Sequence, residues 1–168
     1  FILITYGNTN IIIRVWSTVN ILQSFQQVFH NFIFPKKFWK RFRYNYFWGT
    51  KIERMKFGII KERKNPPDRR VVFTPEELVR LQQEHPEAVV KVESSDIRVF
   101  NDEAYKKLGI TVTEDISDCD VFFGVKEIPV DFLIPNKKYF FFSHTIKKQV
   151  HNRKLLQAIL NKNIELYD

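Results

Sequence analysis

From residue 56 onward the apolar positions fall into short blocks separated by polar, amphipathic stretches. Lys56–Ile60 (KFGII) is the first block and has the length of a strand. Thr74 followed by Pro75, Glu76 and Glu77 predicts a helix start. The threonine can accept a backbone N–H, the proline has no N–H to leave unpaired, and the carboxylates face the positive helix end. Leu78 and Leu81 form its apolar face, and Pro86 closes it. Ala88–Glu93 is β-branched and alternating, which predicts a strand. Asn101 or Asp102 caps a second helix, with a stripe of Ala104, Tyr105 and Leu108 and a stop at Gly109. Ile110–Thr113 is a short strand. Asp120–Val125 (DVFFGV) and Lys138–Phe142 (KYFFF) are too apolar to have a solvated face, so both predict buried strands. Asp131–Ile134 predicts one helical turn between them. Asn152 opens a helix carrying Leu155, Leu156, Ile159 and Leu160, and Ile164–Tyr167 is a last strand.

Strands and helices alternating at this spacing predict an α/β domain: a Rossmann-like (flavodoxin-like) parallel sheet with helices on both faces. Ligand-facing loops in such sheets follow the carboxyl ends of strands. The chain stops at Asp168, directly after a predicted strand, so the expectation is a longer protein.

Charge changes the picture of the first third. Residues 1–54 hold eight Lys and Arg against one acid, Glu53, whereas the remaining nineteen bases are matched by eighteen acids. All three tryptophans (Trp16, Trp39, Trp48) lie before Met55, the only methionine, and residues 1–54 contain no Ala, Asp or Cys. Three readings fit this segment. It is upstream DNA read in frame, with Met55 the true start; or a membrane-surface arm using the basic and aromatic run Lys36–Trp48; or a nucleic-acid arm, with bases on phosphates and rings stacked on bases. Composition, the lone methionine and the initial Phe1 together favour the first, a poorly structured extension with no native role. Ile11–Ile13 is broken at once by Arg14 and is no signal-peptide core. No run of apolar residues spans a bilayer. The expectation is therefore a cytoplasmic domain, residues 55–168, with neither a membrane nor a nucleic-acid partner.

Three polar groups follow predicted strands, where a sheet presents its ligand edge. Lys126 follows DVFFGV, and desolvation there would bring its ammonium toward neutral range. His144 follows KYFFF after Ser143 and suits proton transfer near neutral pH. Arg69 and Arg70 lie in the loop after the first strand, where a guanidinium can clamp a carboxylate. Each has a plainer alternative: Lys126 paired with Glu127, His144 capping the next segment, and the arginines in surface pairs with Asp68 or Glu62. Convergence on one edge is what raises the functional reading.

The five glycines (Gly7, Gly49, Gly58, Gly109, Gly124) build neither a GxGxxG fingerprint nor a Walker A loop. His30, His85 and His151 lack metal-ligand spacing, no serine lies in a GxSxG elbow, and one cysteine, Cys119, excludes an intramolecular disulfide and a cysteine-rich zinc site. No metal site is expected.

Lys61–Leu78 (KERKNPPDRRVVFTPEEL) resembles the opening of the alanine dehydrogenase and pyridine-nucleotide transhydrogenase N-terminal domain, with a Lys-Glu pair and then an arginine shortly before a Thr-Pro helix start. Gly124–Pro129 (GVKEIP) and Phe141–Lys147 (FFSHTIK) resemble that family's strand-end lysine and histidine motifs, in the family's order. Within it, the paired arginines of DRRVVFTP and the runs EDISDCDVFFGVKEIP and KKYFFFSHTIKKQ resemble lysine-ketoglutarate reductase and saccharopine dehydrogenase. Alanine dehydrogenases tend to carry a glycine-rich stretch where this chain reads ESSDIRVFNDEAY.

The resemblance implies an NAD(P)-dependent amino-acid oxidoreductase acting on a CH–NH group, with this chain as its N-terminal substrate domain. NAD or NADP would be bound mainly by a second, downstream domain, and the domain alone would be inactive. It implies Lys126 and His144 as catalytic residues, Arg70 as the substrate-carboxylate anchor and Arg69 as a second candidate. The expected partner is an amino acid or 2-oxo acid. An alanine dehydrogenase-type enzyme is the alternative, and the basic module of residues 14–54 is the alternative of another class.

Overall fold

The computed structural model describes residues 2–6, 9–13 and 54–168. The basic-aromatic run Lys36–Trp48 lies outside them. Near the amino terminus, β1 (Ile2–Tyr6) and β2 (Thr9–Ile13) pair antiparallel, Ile2 opposite Ile13. The sequence reading assigned no element there.

The main sheet has six strands: β3 (Lys56–Ile59), β4 (Val89–Glu93), β5 (Thr111–Thr113), β6 (Val121–Lys126), β7 (Lys138–Phe142) and β8 (Glu165–Tyr167). All neighbours run parallel, in the order β5-β4-β3-β6-β7-β8. Counted within the sheet this is 3-2-1-4-5-6, the Rossmann order of a doubly wound fold rather than the flavodoxin order. The chain steps outward from β3 to β5, returns to β6 beside β3, and steps outward the other way. The order therefore reverses between β3 and β6.

Right-handed crossovers put the connections of the two halves on opposite faces. Helices α1 (Pro75–Glu84) and α2 (Asp102–Lys107) belong to the first half, and α3 (Arg153–Asn161) to the second. Strand alternation divides the core accordingly. Phe122, Tyr139, Phe141 and Leu166 pack in one cluster with Leu155, Ala158 and Ile159 of α3. On the other face Phe123 meets Phe57, Phe73 and Phe140, and Phe140 stacks on Tyr167 at 4.3 Å between centroids. Tyr105 of α2 reaches the same face, its hydroxyl donating to the Phe73 carbonyl at 2.9 Å.

Local chemistry sets the helix ends. Thr74 and Glu77 form a reciprocal capping box: the Glu77 N–H donates to Thr74 Oγ1 at 3.3 Å and the Thr74 N–H to Glu77 Oε2 at 2.9 Å. Asn101 rather than Asp102 caps α2, accepting the Ala104 N–H at 2.9 Å. Two expectations change. Leu108 is exposed at the end of α2, so the buried stripe of that short helix shrinks to Tyr105. Asn152 does not cap α3 with its side chain; its amide donates instead to the His144 carbonyl at 3.3 Å. The turn expected at Asp131–Ile134 is a 3-10 turn at Val130–Phe132.

Candidate functional site

The reversal point between β3 and β6 is where a doubly wound sheet opens a crevice at its carboxyl edge. The chain leaving β3 carries Lys61, Glu62, Arg63 and Lys64, and β6 ends on Lys126. Because every strand of the sheet is parallel, Lys126 at the end of β6 and His144 just beyond β7 come to the same edge on adjacent strands.

Glu62 is the structural centre of this edge. It is a buried charged residue, 9% exposed. Its carboxylate accepts the backbone N–H of Val125 at 2.6 Å and of Lys126 at 3.0 Å. Burial pushes its carboxyl above the ordinary range, opposed by those two hydrogen bonds. Asp68 and Arg70 are close enough to act on the same carboxyl. Arg70 does not pair with Glu62. Its Nε donates to Asp68 Oδ1 at 2.9 Å, and its Nη2 to Asp68 Oδ2. That bond holds the Asp68 carboxyl down at about 2, and the Lys126 charge acts in the same direction. Glu62, Asp68, Arg70 and Lys126 thus form one electrostatic group.

Asp68 occupies the Nε and Nη2 side of the Arg70 guanidinium, while the side chain as a whole is 53% exposed. Its Nη1 donates no hydrogen bond among the described residues, so donors remain for a carboxylate. Arg69 is not drawn into the group: its side chain is exposed, and its carbonyl accepts the Val99 N–H at 2.8 Å.

His144 is exposed and held by its backbone. It sits at φ 55°, in the left-handed region, before the 3-10 turn Thr145–Lys147, and its side chain makes no capping bond. Its neighbours Ser143 and Thr145 are buried and joined, Oγ to Oγ1, at 2.7 Å. The Asp168 carboxylate accepts the Ser143 N–H at 2.9 Å and hydroxyl at 2.7 Å. A polar network therefore fixes the loop and leaves the imidazole facing out.

The plainer alternatives fare unevenly. Arg70 is paired with Asp68, as that reading has it. Glu127 is paired with Lys64 rather than with Lys126. A second buried acid, Glu93, ends β4. It pairs with Arg63 and accepts the Lys61 N–H at 2.9 Å, pinning the start of the same loop. Among the described residues no cluster of His, Cys, Asp and Glu could hold a metal ion.

A dinucleotide's pyrophosphate does not fit the start of α1. In a nucleotide-binding half it would rest on the N-terminus of α1 after a glycine-rich turn. Here residues 61–74 contain no glycine, the Thr74–Glu77 box takes N–H groups of that end, and Glu76 and Glu77 place two carboxylates there.

Fold and edge together define a doubly wound α/β domain whose reversal point carries acid, lysine and arginine side chains in place of a phosphate turn. The alanine dehydrogenase/PNT N-terminal domain family matches residues 58–168, and the chain belongs to that family. An alpha-aminoadipic semialdehyde synthase of Arabidopsis thaliana is 33% identical over 115 residues, covering 66% of this chain and 11% of the relative. The mitochondrial alpha-aminoadipic semialdehyde synthase of Bos taurus is 44% identical over 79 residues, covering 47% of this chain and 8% of the relative. The chain thus spans about a tenth of the length of these relatives. The fold is shared with a transhydrogenase from Sinorhizobium meliloti, at TM-score 0.53 and 17% identity over 66% of this chain and 33% of the other. It is also shared with an L-alanine dehydrogenase, at TM-score 0.53 and 20% identity over 67% of this chain and 31% of the other. No helix among the described residues is long and apolar enough to cross a membrane.

Proposed function

We propose that residues 55–168 form the substrate domain of an NAD(P)-dependent oxidoreductase acting on a CH–NH group, of the lysine-ketoglutarate reductase and saccharopine dehydrogenase type. The single observation that carries this reading is that buried Glu62 accepts the backbone N–H of Lys126 at the reversal point of the sheet, on the edge that also carries the Asp68–Arg70 pair. The relatives named alpha-aminoadipic semialdehyde synthase support lysine over alanine as the amino acid.

In this account Arg70 receives a carboxylate of the amino acid or 2-oxo acid on its exposed side, with Asp68 fixing the plane of the guanidinium. Joining an amine to a 2-oxo acid requires a group that takes the amine proton and one that delivers a proton as water leaves. Lys126 and His144, on adjacent strand ends, fill those two roles. Arg69 serves as a secondary, solvent-side cation for a further carboxylate. A nicotinamide held by a separate domain would supply the hydride, and the residues of this edge would bind and orient the amino acid or 2-oxo acid.

In the whole gene product, Lys126→Ala and His144→Ala should each lower turnover of lysine plus 2-oxoglutarate by about 10²-fold or more, with the far-UV circular dichroism spectrum retained. Wild-type turnover in both variants would refute the assignment, and turnover of pyruvate plus ammonia instead would favour the alanine type. Residues 1–54 take no part in this chemistry; recovery of peptides from residues 15–40 in the native protein would show that they are translated. The bovine relative is named as mitochondrial, so cell fractionation is the test of the cytoplasmic expectation.

A further inference from the structure

Glu62 makes a contact that ordinary strand pairing does not supply. The β3–β6 ladder runs from Phe57 opposite Val121 to Ile59 opposite Phe123, and the Ile60 N–H donates to the Phe123 carbonyl at 2.9 Å. Beyond that point the chain leaves β3, and the N–H groups of Val125 and Lys126 lose their backbone partners on that side. On the other side, the β6–β7 register shifts between Phe123 and Lys126. Such a shift lets two successive N–H groups point the same way. Both point to Glu62, one to each carboxylate oxygen, at 2.6 Å and 3.0 Å.

The approach is made possible by Gly124. A Cβ there would stand 2.6 Å from Ile60 Cδ1, 2.9 Å from Ile60 Cγ1 and 3.7 Å from Glu62 Oε1. Any side chain would press on the segment that delivers Glu62. A buried carboxylate is costly unless hydrogen-bonded. Here its two bonds go to the lysine at the proposed proton-transfer position and to the residue before it. Asp68 cannot substitute, because Arg70 holds both of its oxygens.

We infer that Glu62 is a positioning residue for Lys126: its carboxylate carries the sheet's hydrogen bonding past the end of β3 and fixes where the Lys126 ammonium stands. This rests on the function proposed above. Glutamine has the same shape but only one acceptor atom, so its NH2 would face one of the two N–H donors and release the strand end.

The test is a double-mutant cycle on the whole gene product with lysine, 2-oxoglutarate and NAD(P)H. Glu62→Gln should lower kcat by about 10²-fold, the loss expected of a reacting group displaced by roughly 1 Å, with substrate KM little changed. In a Lys126→Ala background Glu62→Gln should cost nothing further, because a residue acting through Lys126 has nothing left to position. An equal loss in both backgrounds, or no loss in either, would overturn the inference while leaving Lys126 as the proton-transfer group. Wild-type turnover in Lys126→Ala alone would instead overturn the function proposed above, and the inference with it. If Glu62→Gln does not fold, Glu62→Asp, which keeps two acceptor oxygens on a shorter arm, enters the same cycle. Its loss should be smaller and again absent in the Lys126→Ala background; an additive loss there overturns the inference equally.

Discussion

Gly124→Ala probes the close approach on which the reversal point depends. The added methyl would sit 2.6 Å and 2.9 Å from Ile60 Cδ1 and Cγ1, below any contact a real Cβ tolerates. Both strands are central, and Ile60, partly buried against the core, must shift to make room for the methyl. Overpacking of this kind costs about 1–3 kcal/mol. Restricting the unfolded chain by replacing glycine offsets about 0.4–1 kcal/mol of that. The net expectation is a loss of about 1–2 kcal/mol, read by urea unfolding followed by far-UV circular dichroism. Ile60→Val removes the Cδ1 atom that makes the closer contact. Alone it should cost about 0.5–1.5 kcal/mol, yet in the Gly124→Ala background it should restore stability. The two substitutions must therefore be non-additive in the compensating direction. Wild-type stability in Gly124→Ala, or strict additivity with Ile60→Val, would refute the steric reasoning.

Other variants test separate links. The Asp68 carboxyl is lowered to about 2 by Arg70, so its contribution to stability is complete above the ordinary carboxylate range and disappears as pH falls through about 2; Asp68→Asn should flatten the acid limb of a stability-versus-pH curve, and an unchanged limb would contradict the pairing. Tyr105→Phe removes the buried hydroxyl bond to the Phe73 carbonyl and should cost about 0.5–1.5 kcal/mol in urea unfolding; no change would show that bond to be immaterial. Thr74→Ala breaks the capping box of α1 and should cost about 1 kcal/mol in the same assay, whereas a neutral result would mean that tertiary packing alone holds the helix start.

The sheet was legible because its strands are buried on both faces: VFFGV and KYFFF carry no polar alternation, and a Thr-Pro-Glu-Glu start leaves little choice for α1. Lys126 and His144 were legible for a related reason, since a polar residue directly after an apolar strand must emerge at an edge. Glu62 was not. Its partners are backbone N–H groups 63 and 64 positions away, and no local pattern encodes them. The one signal was Gly124 inside an otherwise bulky strand, which marks a close approach. Glu93 was legible as the end of its strand, but its pairing with Arg63, 30 positions away, was not. Leu108 followed the helical spacing but falls past the end of a helix too short to bury it. The β1–β2 pairing went unread because the first third was read by its charge and composition, which carry no strand register.

We propose that an amino-acid-type substrate binds at the carboxyl edge where β3 meets β6. Backbone amide chemical shifts of this chain, followed by NMR as 2-oxoglutarate is added, test it directly. Saturable shifts are expected at Glu62, Arg70, Lys126 and His144, weakened by Arg70→Ala. Shifts confined to the opposite edge, around the Lys56–Asp118–Lys91 ion pairs, or no saturable shift at any concentration, would contradict it.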